Sequence, residues 1–284
     1  MSDVVGTDPA SEHVLVIEPG RAERHYWAEL WHYRELFLIL AWRDISVRYK
    51  QTVIGILWAV LRPFLTMMIF TVIFGRIAKL PSDGTTPYAL LVLAGMLPWS
   101  LVSTAVAEAA NSLITNVNLV GRVYFPRMII PDGTLLAALV DFLISLVILA
   151  GMMLYYSFAP SWHLLALPVF VLLALLASLG PGLWLAAMNV KYRDFRYIIP
   201  FLVQIGLYVS PVGFSSTVVP VKWRLLYSAN PMVGVIDGFR WCVLGHDSHV
   251  YLPGFLLSLG VIALLLWRGV AYFRKTERQF ADLI

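Results

Sequence analysis

Three ionisable side chains fall inside stretches that are otherwise apolar: Arg62 in "LWAVLRPF", Glu108 in "TAVAEAANSLITN" and Asp141 in "LVDFLISL". A charge in hydrocarbon is costly, so each must face a partner, a polar interior or water. Arg62, directly before Pro63, reads either as a group on a substrate path or as half of a structural ion pair. Thr104, Glu108, Asn111 and Thr115 recur at helical spacing, the pattern by which polar stripes join transmembrane helices. Asp141 suits an ion pair with a cation on a neighbouring helix. These groups make a poor catalytic set. Glu108 with Asp141 is a weak candidate for the carboxylates of a membrane glycosyltransferase, and so few intramembrane charges argue against an ion-coupled carrier. The histidines His13, His25, His32, His163, His246 and His249 form no ligand pair within an apolar run. His246 and His249 are three apart but lack a third ligand, so no metal site is expected. No glycine-rich loop with the lysine of a nucleotide site is present, so any ATP and Mg²⁺ must be bound by another chain.

The elements that position these groups follow from composition. Of 284 residues, 60% are hydrophobic and 13% charged, against about 45–50% and about 25% in ordinary globular domains. This predicts an all-α integral membrane protein. Apolar runs of about 20 residues, the length that crosses a bilayer, predict six transmembrane helices near 52–78, 88–115, 129–156, 164–190, 197–214 and 251–273. Residues 1–24, polar and acidic, read as a cytoplasmic tail without the basic and apolar regions of a cleaved signal. Residues 25–50 read as an amphipathic interfacial helix: Trp27, Leu30, Trp31, Phe37 and Leu38 fall near one face, and Trp27, Trp31, Tyr33 and Trp42 suit the headgroup level. The competing reading is a helix packed on the bundle. The transmembrane domain spans 51–274, and 275–284 form a second tail. Within 215–248, the stretch Leu225 to Gly245 carries Asn230, Pro231, Asp237 and Arg240, so a re-entrant or surface hairpin before the last span is favoured over a simple crossing. Cys242 is the single cysteine, which excludes an intrachain disulfide.

Six spans place both termini on one side. That side gathers Arg21, Arg24, Arg34, Arg43, Arg48, Lys50, Arg122, Arg127, Lys191, Arg193, Arg196, Arg274, Lys275 and Arg278, whereas Arg76, Lys79, Lys222, Arg224 and Arg240 fall opposite. By the positive-inside rule both termini are cytoplasmic. Aromatic residues at span ends form an ordinary interfacial belt, but Trp58, Trp99, Trp184 and Tyr208 fall within spans, where rings can stack on sugars or face lipid.

"HYRELFLILAWRDISVRYKQTVIGILWAVLRPF", "GMLPWS", "RVYFPRMIIP", "NVKYRDFRYIIPF", "SPVGF", "NPMVGVIDGFRW" and the terminal "FRKTERQFADLI" occur in an order that resembles the permeases of polysaccharide ABC exporters, over residues 14–284. The resemblance implies a bacterial inner-membrane homodimer that works with two copies of a nucleotide-binding ATPase subunit. Its substrate would be a lipid-linked polysaccharide: O-antigen first, with capsular or teichoic-acid-type polymers as alternatives. Membrane lipids are further partners, and no nucleic acid is expected. It also implies that segment 117–128 couples the permease to the ATPase. Leu119, Val120, Val123, Tyr124 and Phe125 offer an apolar anchor flanked by Arg122 and Arg127; a basic loop on anionic headgroups is the other reading of those residues. For an anionic lipid head, Arg48 and Lys50 would attract it. Arg62 would then receive it about 18 Å farther along a continuous helix.

Overall fold

The computed structural model describes residues 22–50, 53–82, 84–159, 161–192, 194–245, 248 and 250–280. The tail to residue 21, residues 281–284 and the His246/His249 pair lie outside them. Every regular element among the described residues is helical. The chain begins with α1 (Ala22–His32) and α2 (Arg34–Tyr49), followed by α3 (Val53–Phe70), which continues through π-helical turns at Thr71–Ile77. Then come α4 (Tyr88–Thr115), the short α5 (Val117–Arg122) and α6 (Ile129–Tyr155). A 3₁₀ turn at Trp162–Ala166 leads into α7 (Leu167–Lys191), and α8 (Phe195–Val209), α9 (Val221–Tyr227), α10 (Pro231–Leu244) and α11 (Leu252–Glu277) complete the chain.

Among the described residues, four helical stretches are both long and apolar enough to cross a bilayer: α4, α6, Trp162–Lys191 and α11. Helix α8 is apolar but has only 15 residues, about 22 Å at 1.5 Å rise. It stops at Val209 because Pro211 disfavours a helical Ser210, whose ψ is 151°. Helix α4 is the axis of the bundle, with α6, α7, α10, α3 and α8 packed around it. It buries residues along its whole first half, from Ala89 to Pro98 without interruption. Helices α7 and α11 cross at glycines: a Cβ on Gly180 would sit 2.6 Å from the Leu265 carbonyl, and one on Gly269 2.1 Å from the Gly180 oxygen. Small residues permit such approach where lipid supplies no hydrophobic drive between helices.

The predicted interfacial helix is divided at Tyr33, and its apolar residues are shared between two environments. Trp27, Trp31, Leu38, Ile39 and Trp42 are exposed, whereas Leu30, Phe37 and the buried Leu40 belong to an apolar cluster with Val120, Phe125, Met128 and Phe273. Helix α2 packs chiefly on α6. It therefore presents an aromatic face outward and is also part of the bundle.

The stretch expected to form a hairpin folds as two short helices, α9 and α10. The Asn230 side chain caps α10 by accepting from the Met232 N–H at 3.0 Å, with Pro231 at the first helical position. Arg240, counted above among the cations on the side opposite the termini, is fully buried. Its guanidinium donates to the carbonyls of Leu91 (3.2 Å), Phe214 (2.9 Å) and Val212 (3.0 Å). The carbonyls freed where α8 unwinds are thus satisfied by one side chain.

Candidate functional site: an end groove and a lateral cavity

Two concave regions collect most of the candidate residues. The first is a groove of about 1040 Å³ where the beginning of α1, the segment after α5 and the end of α11 meet. Helix α5 ends at Arg122, Val123 is extended, and the chain turns through Pro126 into α6. Proline removes a donor and fixes φ, which suits this sharp change of direction. Glu277 organises the groove. Its carboxylate accepts the Arg127 backbone N–H at 2.6 Å and the Tyr26 hydroxyl at 3.0 Å, while Arg127 Nη1 donates to the Glu277 carbonyl at 2.5 Å. The Arg274 guanidinium lies 4.8 Å over the Tyr26 ring. Burial, and then the charge of Glu277, push the Tyr26 hydroxyl pKa upward, so it stays a donor. Arg122, Arg127, Arg274, Lys275 and Arg278 line the groove against Glu29 and Glu277, five cations less two anions, net +3.

The coupling residues of the sequence reading separate here into two layers. Val120 and Phe125 are buried in the chain's own apolar cluster, Phe125 at 4% exposure, and Leu119 packs against that cluster. They brace the segment from beneath, so the surface they were expected to offer is smaller than the residue types suggest. Val123, Tyr124 (55% exposed) and Arg122 are presented outward.

The second region is a cavity of about 730 Å³ between the end of α2 and helices α3, α4, α6 and α8. Arg62, Glu108 and Asp141 all line it. Arg48 donates from Nη2 to Glu108 and from Nη1 to Asp141, and the Tyr49 hydroxyl donates to the other Asp141 oxygen. Burial, and then the bond to Asp141, push the Tyr49 hydroxyl pKa upward. The cluster fastens α2 to α4 and α6. Glu108 and Asp141 are therefore close, as sequence alone did not show, and Arg48 bridges them. The polar stripe divides accordingly. Glu108 binds Arg48, whereas Asn111 accepts from the buried Asn189 amide of α7 at 3.1 Å and so joins helices.

Arg48 and Arg62 line this one cavity. Arg48 stands near the end of α2, which closes at Tyr49, and Arg62 stands in α3, described from Val53. Lys50 is exposed and lies outside the lining. Trp99 is in the lining and packs on α8, its Cη2 only 2.5 Å from where a Gly206 Cβ would stand. Trp184 and Tyr208 are exposed on other faces of α7 and α8. Trp58 stands in α3, with its side chain outside the described residues. Sequence reading missed Gln204 of α8, which lines the same cavity; a lone glutamine in an apolar helix was the available signal.

Residues 35–244 match the family described as ABC-2 type transporter. The chain is similar to the O-antigen export system permease protein RfbA of Myxococcus xanthus, 29% identical over 259 residues that cover 90% of this chain and 98% of that protein. It is similar also to a permease of the same name from Klebsiella pneumoniae, 24% identical over 257 residues, covering 88% and 95%. The inner membrane transport permease YadH of Escherichia coli strain K12 is 26% identical over 194 residues, covering 64% of this chain and 74% of that one. The chain belongs to the ABC-2 type transporter family.

Proposed function

We propose that this chain is the transmembrane permease of an ABC exporter that carries a lipid-linked O-antigen polysaccharide across the bacterial inner membrane. The observation that carries the reading is the similarity to the Myxococcus O-antigen export permease, which runs through 98% of that protein. The permease works as a homodimer with two copies of a separate ATPase subunit, and those subunits bind ATP and Mg²⁺. Six spans, α3, α4, α6, α7, α8 and α11, cross the membrane with both termini in the cytoplasm, and the α9–α10 hairpin dips in from the other side without crossing. The concentration of arginine and lysine around α1, α2, α5 and the end of α11 supports that orientation.

In this reading the basic groove faces the ATPase. Arg122, Val123 and Tyr124 make the contact, Leu119, Val120 and Phe125 support it, and Arg127 ties it to Glu277. The exposed tryptophans of α1 and α2 lie among lipid headgroups. The polymer passes the cavity that holds Arg48, Arg62 and Trp99, and Lys50 at its outer approach attracts the anionic head. Trp58, Trp184 and Tyr208 join the path where the second copy faces them.

Affinity purification of the tagged chain tests the proposal. The expected outcome is copurification of a nucleotide-binding subunit in equal number, and ATP-dependent movement of lipid-linked polymer in reconstituted vesicles. Transport driven by an ion gradient without that subunit would sink it.

A further inference from the structure

We propose that the cavity between α3, α4, α6 and α8 is a glycan subsite, in which Trp99 and the polar groups of Arg62, Thr104, Glu108 and Gln204 take a neutral, polyhydroxylated sugar ring of the polymer and not its phosphate. The inference rests on the reading of the chain as a polysaccharide permease and assigns chemistry to one place within it.

Two observations carry it. The first is an unused set of hydrogen-bonding groups. Among the described residues the Arg62 guanidinium, the Thr104 hydroxyl, the Gln204 amide and Glu108 Oε2 have no side-chain partner, yet all four residues line one space of about 730 Å³. Together they offer donors and acceptors in mixture, as vicinal hydroxyls require, since each sugar hydroxyl both donates and accepts. Trp99 supplies an aromatic wall to the same space, and Met96, Phe142 and Leu207 keep part of it apolar. A few placed polar groups in an otherwise apolar concavity is the general form of a small-ligand site.

The second is charge. Arg48 and Arg62 are balanced by Glu108 and Asp141, two cations less two anions, net zero. Arg48 spends both terminal nitrogens on those carboxylates. A diphosphate entering this space would meet two carboxylates beside the single guanidinium of Arg62, and would gain little net attraction. A neutral ring meets no such opposition. The phosphate is better accommodated outside, near the exposed Lys50.

The test is thiol protection on the assembled complex in lipid nanodiscs. Ser103 lines the cavity and its hydroxyl donates only to the Ser100 carbonyl of its own helix, 3.1 Å away, so Ser103→Cys in a Cys242→Ala background reports occupancy. Two probes are compared: neutral repeat-unit oligosaccharide released by mild acid from the host's exported polymer, and inorganic diphosphate. Protection by the oligosaccharide and not by diphosphate is expected. Thr104→Val, which removes a hydroxyl without disturbing the Arg48 cluster, should raise the half-protecting concentration several-fold, and Glu108→Gln by about tenfold, as loss of a hydrogen bond to a charged acceptor predicts. Protection by diphosphate alone, by neither probe, or equally in both variants overturns the proposal. ATP-dependent export by the same preparation is scored separately, so failure of the subsite and failure of the permease reading are distinct results.

Discussion

Arg240 and Arg62 are both arginines inside apolar sequence, and their surroundings are opposite. Arg240 is fully buried and donates to three backbone carbonyls from α4 and the unwound segment after α8. Arg62 is exposed to a cavity, and its guanidinium has no partner among the described residues. An intramembrane arginine is a functional candidate by default, but the default holds only where its donors are unspent. At Arg240 the charge is consumed in holding the chain together; at Arg62 it remains available to something that arrives.

The comparison breaks first at Arg240. Arg240→Met has similar bulk but leaves the Leu91, Val212 and Phe214 carbonyls without that donor. Leu91, inside α4, keeps its helical bond, but the two carbonyls of the unwound segment are left unsatisfied at about 1–3 kcal/mol each, a large share of the ~5–15 kcal/mol that holds an ordinary domain. The expected outcome is loss of recoverable complex, measured as monodisperse protein after detergent extraction. Recovery at wild-type yield would show that the unwound segment does not depend on this staple.

Arg62 should behave in the reverse way, with the complex retained and transport lost. Arg62→Lys keeps charge and loses the planar fork; Arg62→Gln also loses the charge that balances the cavity. Export in vesicles should fall in the order wild type, Lys, Gln, with the glutamine variant down about tenfold or more. Equal export by all three removes Arg62 from the substrate path.

Sequence periodicity made much of the helical frame legible, because long apolar runs bounded by Pro, Gly and charge admit few alternatives. The predicted 88–115 and 129–156 coincide with α4 and α6 to within a residue. What sequence could not reveal was which polar groups are already satisfied. Arg48, Glu108 and Asp141 are separated by 60 and 93 residues from Arg48 onward, and only packing of α2 on α6 brings them together. The same holds for Asn111 with Asn189, and for Tyr26 with Glu277, 251 residues apart. Side-chain direction was equally hidden. Val120 and Phe125 read as an outward anchor by type, but α5 is one short turn whose facing is set by the cluster beneath it.

That last difference sharpens into the subtlest prediction. Phe125 and Tyr124 are adjacent aromatics, one at 4% and the other at 55% exposure. Truncating Phe125 would open a cavity in the cluster it shares with Leu40, Met128 and Phe273, so its effect falls on folding. Tyr124→Ala removes surface and little else, because its ring is turned into the groove and away from the core. If the groove meets the ATPase, Tyr124→Ala should leave complex yield and basal ATP hydrolysis near wild type while polymer exported per ATP drops several-fold, the loss expected from one exposed aromatic at an interface. Replacement by Phe should restore most of the coupling, since ring area and not the hydroxyl makes the contact. A Tyr124→Ala permease with unchanged polymer per ATP would place the transmission of force elsewhere on the basic face, with Arg122 and Arg278 as the next residues to substitute.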